Sequence, residues 1–211
     1  MSLQQIIDTA QRIEFDRRKV VGQTISRSQR IKSAKRNSAN PLALTVTPSA
    51  YFSYSQARDM VEGIMLGDRY EEFQIKLGNT TKTAYLNEYR GSLPLAQAKA
   101  MTITNFTMTS VTIATTATAS TVVLKAGDWI QPFWSRYPYI VTADTVSNGS
   151  VATATVHRNL ITSENTTATG TMLIGTDTSM RVLITGLPSY EVGLYKQLSW
   201  SDDFVLIEKI I

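Results

Sequence analysis

The uneven distribution of threonine constrains the fold of this chain more than any other feature. Of its 28 threonines, 21 lie between Thr102 and Thr185. Threonine is β-branched, has a restricted χ1 angle and suits the pleated, half-exposed surface of a β-strand. We therefore expect this half of the chain to form β-sheet.

Turn sequences divide the threonine-rich half into short segments. Turns such as KAGD, SNGS, SENTTATG and TGLPS recur at short intervals, which is typical of a β-sandwich or barrel. The predicted strands cover residues 101–108, 110–114, 121–124, 129–133, 139–141, 151–157, 171–174, 180–185, 190–194 and 204–210.

The N-terminal half carries both strand and helix patterns. Leu42, Leu44 and Val46 alternate with smaller residues and predict a half-buried strand, and residues 73–77 predict another. Apolar residues at helical spacing predict a helix over about residues 56–70, with Ser55 as its N-cap. Apolar residues within 3–15 have roughly helical spacing, Phe15, Val20, Val21 and Ile25 suit an extended run that follows, and the pattern is ambiguous between the two. Residues 84–91 fit either a strand or a short helical turn.

These patterns predict a mostly β fold of sandwich or barrel modules, with one short α-helix packed on the N-terminal module. The composition changes after Pro94. We therefore predict an N-terminal β domain over residues 1–95 and a threonine-rich β domain over residues 96–211.

Basic residues are concentrated near the N-terminus. Nine of them lie between Arg12 and Arg36, against Glu14 and Asp16, a local balance of +7 in a chain whose total is +4. We predict a basic arm over residues 12–40, in which residues 27–41 form a mobile loop or arm. Residues 12–36 are expected to be partly mobile in the isolated subunit and to become ordered by docking on an acidic neighbouring subunit. Contact with nucleic acid is the alternative. Arm residues predicted to lie at a subunit interface are Arg17, Arg18, Arg27, Arg30, Lys35 and Arg36.

A second candidate interface is the aromatic segment WIQPFWSRYPY, which contains Trp129, Trp134, Tyr137 and Tyr139. Aromatic residues favour both protein cores and protein interfaces. We predict that Trp129, Phe133 and Trp134 are largely buried, within the fold or between subunits. If the four candidates were exposed instead, they would form a platform for carbohydrate.

The residues required for common catalytic chemistry are scarce. The chain has no cysteine, a single histidine, His157, and neither GxGxxG nor GxxxxGK[ST]. Without cysteine there is no disulfide framework and no thiolate metal site. A turn followed by a strand accounts for Asp202, Asp203 and Glu208. We therefore expect no enzymatic activity, no catalytic residue, no metal and no cofactor.

Several segments resemble tail and baseplate proteins of tailed bacteriophages. They are IEFDRRKVVGQTISRSQRIK, a strand ending in TPS, YSQARDMVEGIMLGDR, KAGDWIQPF and the ending LPSYEVGLYKQLSWSDDFVLIEKI. Distal tail proteins similarly combine a β domain, a short helix and a second β module. The resemblance implies a structural role and extends over nearly the whole chain, although Leu42 stands where related proteins carry an aromatic residue.

The resemblance implies a virion protein, assembled in the host cytoplasm, whose copies form a ring, by analogy a hexamer, that joins the tail tube to the hub or baseplate. Tube and hub proteins would be its partners, and DNA would pass only through the lumen. Related alternatives are a tail-tube initiator, a tail terminator and a head-to-tail connector. An adhesin that binds a receptor or carbohydrate is the alternative of another class. No segment approaches the roughly 18 apolar residues of a membrane span, so no membrane partner is expected.

Overall fold

The fold is mostly β, as the sequence predicted. The structure is a computed structural model that describes residues 3–17, 21–25, 31–35, 41–49, 52–65, 71–161 and 169–210. Within these ranges the strands are short and are interrupted by turns. The helices are few.

Eighteen strands are present in the described ranges. They are β1 (Arg12–Arg17), β2 (Val21–Ile25), β3 (Ile31–Lys35), β4 (Leu42–Thr47), β5 (Phe52–Ser53), β6 (Phe73–Ile75), β7 (Thr102–Phe106), β8 (Ser110–Ala114), β9 (Val122–Leu124), β10 (Trp129–Pro132), β11 (Tyr139–Ile140), β12 (Thr145–Val146), β13 (Val151–Thr155), β14 (Gly170–Ile174), β15 (Met180–Gly186), β16 (Tyr190–Val192), β17 (Gln197–Trp200) and β18 (Phe204–Glu208).

Three α-helices and two 3₁₀ turns accompany the strands in these ranges. The α-helices are α1 (Leu3–Thr9), α2 (Tyr54–Met65) and α3 (Leu95–Lys99), and the 3₁₀ turns are Ala84–Leu86 and Gly175–Asp177. Helix α2 places Met60, Val61 and Ile64 in the core, one face of a 3.6-residue period. The predicted short helix therefore packs where it was expected.

The first sheet joins strands from the two ends of the described chain. Its order is β1-β4-β18-β15-β6, with every neighbouring pair antiparallel. Central strand β18 alternates buried and exposed side chains, and Phe204 and Leu206 are fully buried. Helices α1 and α2 contribute to the core of this sheet, because their apolar faces need cover from water.

The second sheet is built from the threonine-rich half. Its order is β11-β10-β14-β7-β8-β13, and the pair β12-β9 forms a small sheet of the same half. In β8 and β13 Val111, Ile113, Ala152 and Ala154 face a second core, while threonines take three of the six outward positions. The threonine concentration therefore reflects sheet with one covered face.

Two small sheets complete the fold. Strands β2 and β3 form a separate hairpin, and β16-β17-β5 form a three-stranded sheet in which Leu198 is buried in the first core. The predicted loop over residues 27–41 is wrong between Ile31 and Lys35, where β3 pairs with β2 along five positions. The strand was not recognised because its sequence, IKSAK, has no regular apolar face.

Two further predictions need correction. Helix α2 begins at Tyr54, so Ser55 lies inside it and is not an N-cap. Helices α1 and α3 add to the single helix predicted. The proposed division after residue 95 does not follow the sheets, because β15 and β18 pair with N-terminal strands. That the two halves fold as separate domains stays a prediction.

Candidate functional site

Six arm residues were predicted to lie at a subunit interface, and the structure describes the backbone of two of them. Arg17 ends β1, opposite Leu42 of β4, and Lys35 ends β3, opposite Val21 of β2. Arg18, Arg27, Arg30 and Arg36 lie outside the described residues. The predicted docking of the arm on an acidic neighbour stays a prediction.

The predicted aromatic interface is buried inside the chain itself. Trp129, Trp134, Tyr137 and Tyr139 are each less than a tenth exposed. Trp129 belongs to the first core, whereas Tyr137 and Tyr139 belong to the second. An exposed carbohydrate platform made from these four side chains is therefore not formed.

Phe133 differs from its neighbours, because 46% of it is exposed. Phe133 is therefore not buried within its own chain, although all four residues of β10 up to Pro132 are. Its burial between subunits stays a prediction. Its ring lies over the backbone of Gly170, where an added Cβ would come within 1.8 Å of the Phe133 Cε1 atom. Glycine on the neighbouring strand thus makes room for an aromatic ring at the surface.

His157 serves the second sheet structurally. Its Nδ1 atom accepts a hydrogen bond from the Ile140 N–H at 3.0 Å, and its own backbone N–H donates to the Ile140 carbonyl at 3.0 Å. The ring centroid lies 6.4 Å from that of Tyr139. The preceding residue, Val156, forms an isolated β-bridge with Val141. The contacts of His157 extend this link to strand β11.

An ion pair whose two side chains are fully buried joins the first sheet to the second. Arg158, which follows β13, donates from Nη1 and Nη2 to the two carboxylate oxygens of Glu208 at 2.5 and 2.6 Å. Glu208 also accepts the backbone N–H of Leu42, and Arg158 also donates to the Pro138 carbonyl. A two-point Arg–carboxylate contact fixes orientation as well as distance.

Aromatic rings enclose this ion pair. The guanidinium carbon of Arg158 lies 5.2 Å from the ring centre of Tyr139 and 5.9 Å from that of Tyr137. Burial raises the pKa of the Tyr139 phenol, whose oxygen accepts the backbone N–H of Ile161. The sequence signal for this site was Glu208 itself, an acidic residue in phase with buried Phe204 and Leu206.

Asp128 is a second fully buried carboxylate, and it organises a turn. Its Oδ2 atom accepts the Lys125 N–H at 2.9 Å, and its Oδ1 atom accepts the Arg90 N–H at 3.0 Å. Burial raises the pKa of Asp128, and these two hydrogen bonds oppose that shift. Gly127 precedes it with a φ of 97°, a conformation that favours glycine. The KAGD sequence was correctly interpreted as a turn.

The hairpin of β16 and β17 exposes two large apolar residues at its tip. Leu194 is 100% exposed and Tyr195 is 90% exposed. The Gly193 N–H donates to the Gln197 carbonyl, and the Lys196 N–H donates to the Gly193 carbonyl. We name residues 193–196 the hairpin tip. Sequence analysis did not select it, although Leu-Tyr is unusual where turns favour Asn, Asp, Gly or Ser.

The surface pockets in the described part of the chain include three that differ in their lining residues. One of about 200 Å³ is lined by Ala100, Met101 and Thr102 on one side and residues 114–116 on the other. A second, of about 300 Å³, holds Asp202 and Asp203. A third, of about 210 Å³, lies beside Phe133 and is lined by Arg136 and Arg181.

Metal and membrane sites were sought in the same ranges. Across the described residues, no three His, Asp or Glu side chains are grouped closely enough to hold a metal ion. Nor does any helix in the part of the chain that the structure covers have the length and apolar character needed to cross a bilayer.

In comparisons with known proteins, the chain matches no protein-family model and no curated protein sequence.

Proposed function

We propose that this protein is a structural subunit of a phage tail or baseplate, and that its copies form a ring joining the tail tube to the hub. The proposal takes its position in the virion from the sequence resemblance. Its assembly role rests on the hairpin tip.

The observation that carries the proposal is the exposure of Leu194 and Tyr195 together. Single exposed apolar residues are ordinary, but an adjacent Leu-Tyr pair at a hairpin tip has the composition of an interface anchor. Tyrosine is enriched in interfaces because it offers apolar area and a polar group with little loss of entropy. Association with another protein surface would remove this area from water.

The experiment that tests the proposal is measurement of mass and shape on the purified chain. Light scattering behind size-exclusion chromatography should give a defined multiple of 23.4 kDa, and negative-stain electron microscopy should show closed rings. A concentration series separates defined assembly from aggregation. A monomer at every concentration would contradict the ring.

A receptor-binding or carbohydrate-binding module is the second candidate, and the third pocket favours it. There the exposed ring of Phe133 lies in the same pocket as Arg136 and Arg181, which suits an acidic sugar better than a neutral one because Arg pairs with carboxylate. Calorimetry with glucuronate and glucose provides a matched pair of probes. Glucuronate binding that disappears in Phe133→Ala would support this candidate, and binding of neither sugar would contradict it.

A further inference from the structure

The turn that joins β12 to β13 has the sequence Ser-Asn-Gly-Ser, residues 147–150. Asn148, Gly149 and Ser150 are exposed, whereas Ser147 is buried. Gly149 has a φ of 107°, a left-handed conformation in which a side chain would be strained, so the turn needs glycine here. This is the one Asn-Gly pair in the chain.

An asparagine that is followed by glycine can lose its side-chain amide without a catalyst. The Gly149 backbone nitrogen attacks the Asn148 side-chain carbonyl carbon, a C–N bond forms, and the bond from that carbon to Nδ2 breaks. Nδ2 leaves as ammonia with the proton that the Gly149 nitrogen gives up, and a cyclic succinimide remains. Water then opens the ring at either carbonyl, which yields aspartate or isoaspartate with no change of oxidation state. Glycine favours ring closure because it has no side chain to shield its nitrogen.

Hydrogen bonds restrain the Asn148 side chain in the folded turn. Its Oδ1 atom accepts the backbone N–H of Val151 at 2.9 Å and that of Ser150 at 3.1 Å, and also the Ser150 hydroxyl at 3.3 Å. Such bonds are typical of asparagine in turns. They restrain the carbonyl group, but they would also stabilise negative charge on its oxygen during attack. The state of the attacking nitrogen therefore decides the reactivity of this site.

The attacking nitrogen is occupied in the folded chain. Gly149 donates its backbone N–H to the Ser147 hydroxyl oxygen at 3.0 Å, and this hydroxyl donates its own proton to the Ala117 carbonyl at 3.1 Å. The backbone of Ser147 is bonded as well, to the Thr121 carbonyl and to the Ser120 N–H. The hydroxyl thus has little freedom to move away, and its bond to Gly149 must break before the nitrogen can attack.

We propose that Asn148 is a latent deamidation site and that Ser147 restrains it by holding the Gly149 N–H. Asn148 stays intact while the turn is closed and reacts when the turn opens by local unfolding. The inference goes beyond the proposed assembly role and does not depend on it.

The two products should affect the turn differently. Aspartate keeps the oxygen that accepts the N–H groups of Ser150 and Val151. Isoaspartate carries the main chain through its side-chain carbon, which adds a methylene group to the backbone. Because Val151 pairs with Ala114 at the start of β13, the added length should disturb the register with β8. A turn that has reacted to isoaspartate is therefore expected not to close again in its original form.

Peptide mass spectrometry can follow the reaction at this residue alone. Cleavage after Arg136 and Arg158 releases residues 137–158, in which Asn148 is the only asparagine or glutamine. The full chain is incubated at mildly alkaline pH, either folded in buffer or unfolded in guanidinium chloride. The unfolded chain should convert Asn148 about tenfold faster or more, the factor that corresponds to one strong hydrogen bond.

Two serine substitutions separate the restraint on Gly149 from a general loosening of the turn. Ser147→Ala removes the acceptor of the Gly149 N–H and should speed conversion in the folded chain about 3- to 10-fold. Ser150→Ala is the matched control, because it removes a hydroxyl bonded to Oδ1 and leaves the Gly149 bond in place, so it should change the rate by less. Hydrogen exchange at the Gly149 amide should be faster in Ser147→Ala, while exchange in β8 and β13 stays unchanged.

Faster conversion on unfolding and in Ser147→Ala, with a smaller change in Ser150→Ala, supports the proposal. Equal rates in the folded and unfolded wild-type chain would overturn it, because the fold would then offer no restraint. A rate in Ser147→Ala that matches wild type, or an equal rise in Ser150→Ala, would overturn the role of Ser147. So would faster exchange throughout β8 and β13 in Ser147→Ala, because the restraint would then belong to the whole sheet and not to this hydroxyl.

Discussion

The aromatic segment of residues 129–139 and the hairpin tip distribute their apolar residues in opposite ways. The first looked like an interface in sequence, yet Trp129, Trp134, Tyr137 and Tyr139 are buried in the chain. The second is shorter and less aromatic, yet Leu194 and Tyr195 are almost wholly exposed. Aromatic content therefore did not distinguish a core from a contact surface. The pairing of each segment with neighbouring strands did.

The difference in burial is tested most directly by truncating one residue of the aromatic segment and one residue of the hairpin tip. Trp134→Ala should lower the free energy of unfolding by about 3 to 5 kcal/mol, because it leaves a cavity beside Phe106. Tyr195→Ala should change it by less than about 0.5 kcal/mol, as expected for a surface site. Urea denaturation of dilute protein measures both. Equal losses in the two variants would remove the distinction.

Disrupting the ion pair between Arg158 and Glu208 should lower the free energy of unfolding by nearly as much as Trp134→Ala. Glu208→Gln leaves the Arg158 guanidinium buried without its counter-charge, and we expect a loss of about 3 to 5 kcal/mol by urea denaturation. The double variant Arg158→Met/Glu208→Leu should regain much of that loss, because no unpaired charge remains. A loss below about 1 kcal/mol in Glu208→Gln would show that water reaches the site.

A substitution of Asp128, in the turn that leads into the aromatic segment, should lower the free energy of unfolding by an intermediate amount. Asp128→Asn places an amide NH₂ group against one of two backbone donors, so about 1 to 3 kcal/mol should be lost. Asp144→Asn is the control, because Asp144 accepts one exposed hydrogen bond from Ala126. Thermal unfolding should show a smaller shift for the control, and the reverse order would contradict the assignment.

The pH dependence associated with Asp128 has a definite sign. Because burial raises the pKa of the folded carboxyl, the unfolded chain ionises first as pH rises above the ordinary value near 3.8. This residue therefore contributes less stability above its folded pKa than below its unfolded one. Stability curves of wild type and Asp128→Asn, measured by urea denaturation across this range, should change their separation between acidic and neutral pH. A constant separation would show that the carboxyl has the same pKa in both states.

The smallest effect is expected at the exposed ion pairs of Glu72. Hydrogen bonds from Lys209 and then Arg181 lower the pKa of Glu72, so its contribution is present above the ordinary value of 4.5 and is lost as pH falls through the folded pKa. Glu72→Gln should cost no more than about 1 kcal/mol at neutral pH because water screens the group. Added salt should reduce that difference, unlike the loss in Glu208→Gln.

Local patterns predicted the regular strands well. Strands β4 and β8 begin and end at the predicted residues, because each has an apolar face in alternation. Strand β17 was missed, since Leu198 is the only aliphatic residue in QLSW. Strand β2 lies in the predicted extended run through Val21 and Ile25, whereas β3 was missed because its sequence also lacks a regular apolar face.

Long-range pairings account for what sequence could not supply. Arg158 and Glu208 are 50 residues apart, and only the tertiary fold brings them together. The ring of Phe133 packs over Gly170 on another strand, a contact that only the tertiary fold creates. The hairpin tip could have been recognised from the unusual Leu-Tyr pair in a turn, but its position depends on the hydrogen bond from the Tyr54 N–H to the Lys196 carbonyl.

The position of β18 between β4 and β15 has a consequence for synthesis. Strand β4 ends at Thr47, yet its neighbour begins at Phe204, so the first core cannot close until the ribosome has made both. At about 5 to 20 residues per second, the intervening chain takes roughly 10 to 30 seconds. During that time the strand edges and apolar helix faces of the first core lack their final cover. The contact order of this sheet is correspondingly high, which slows folding. Nascent chains therefore complete the first core only after β18 has been synthesised.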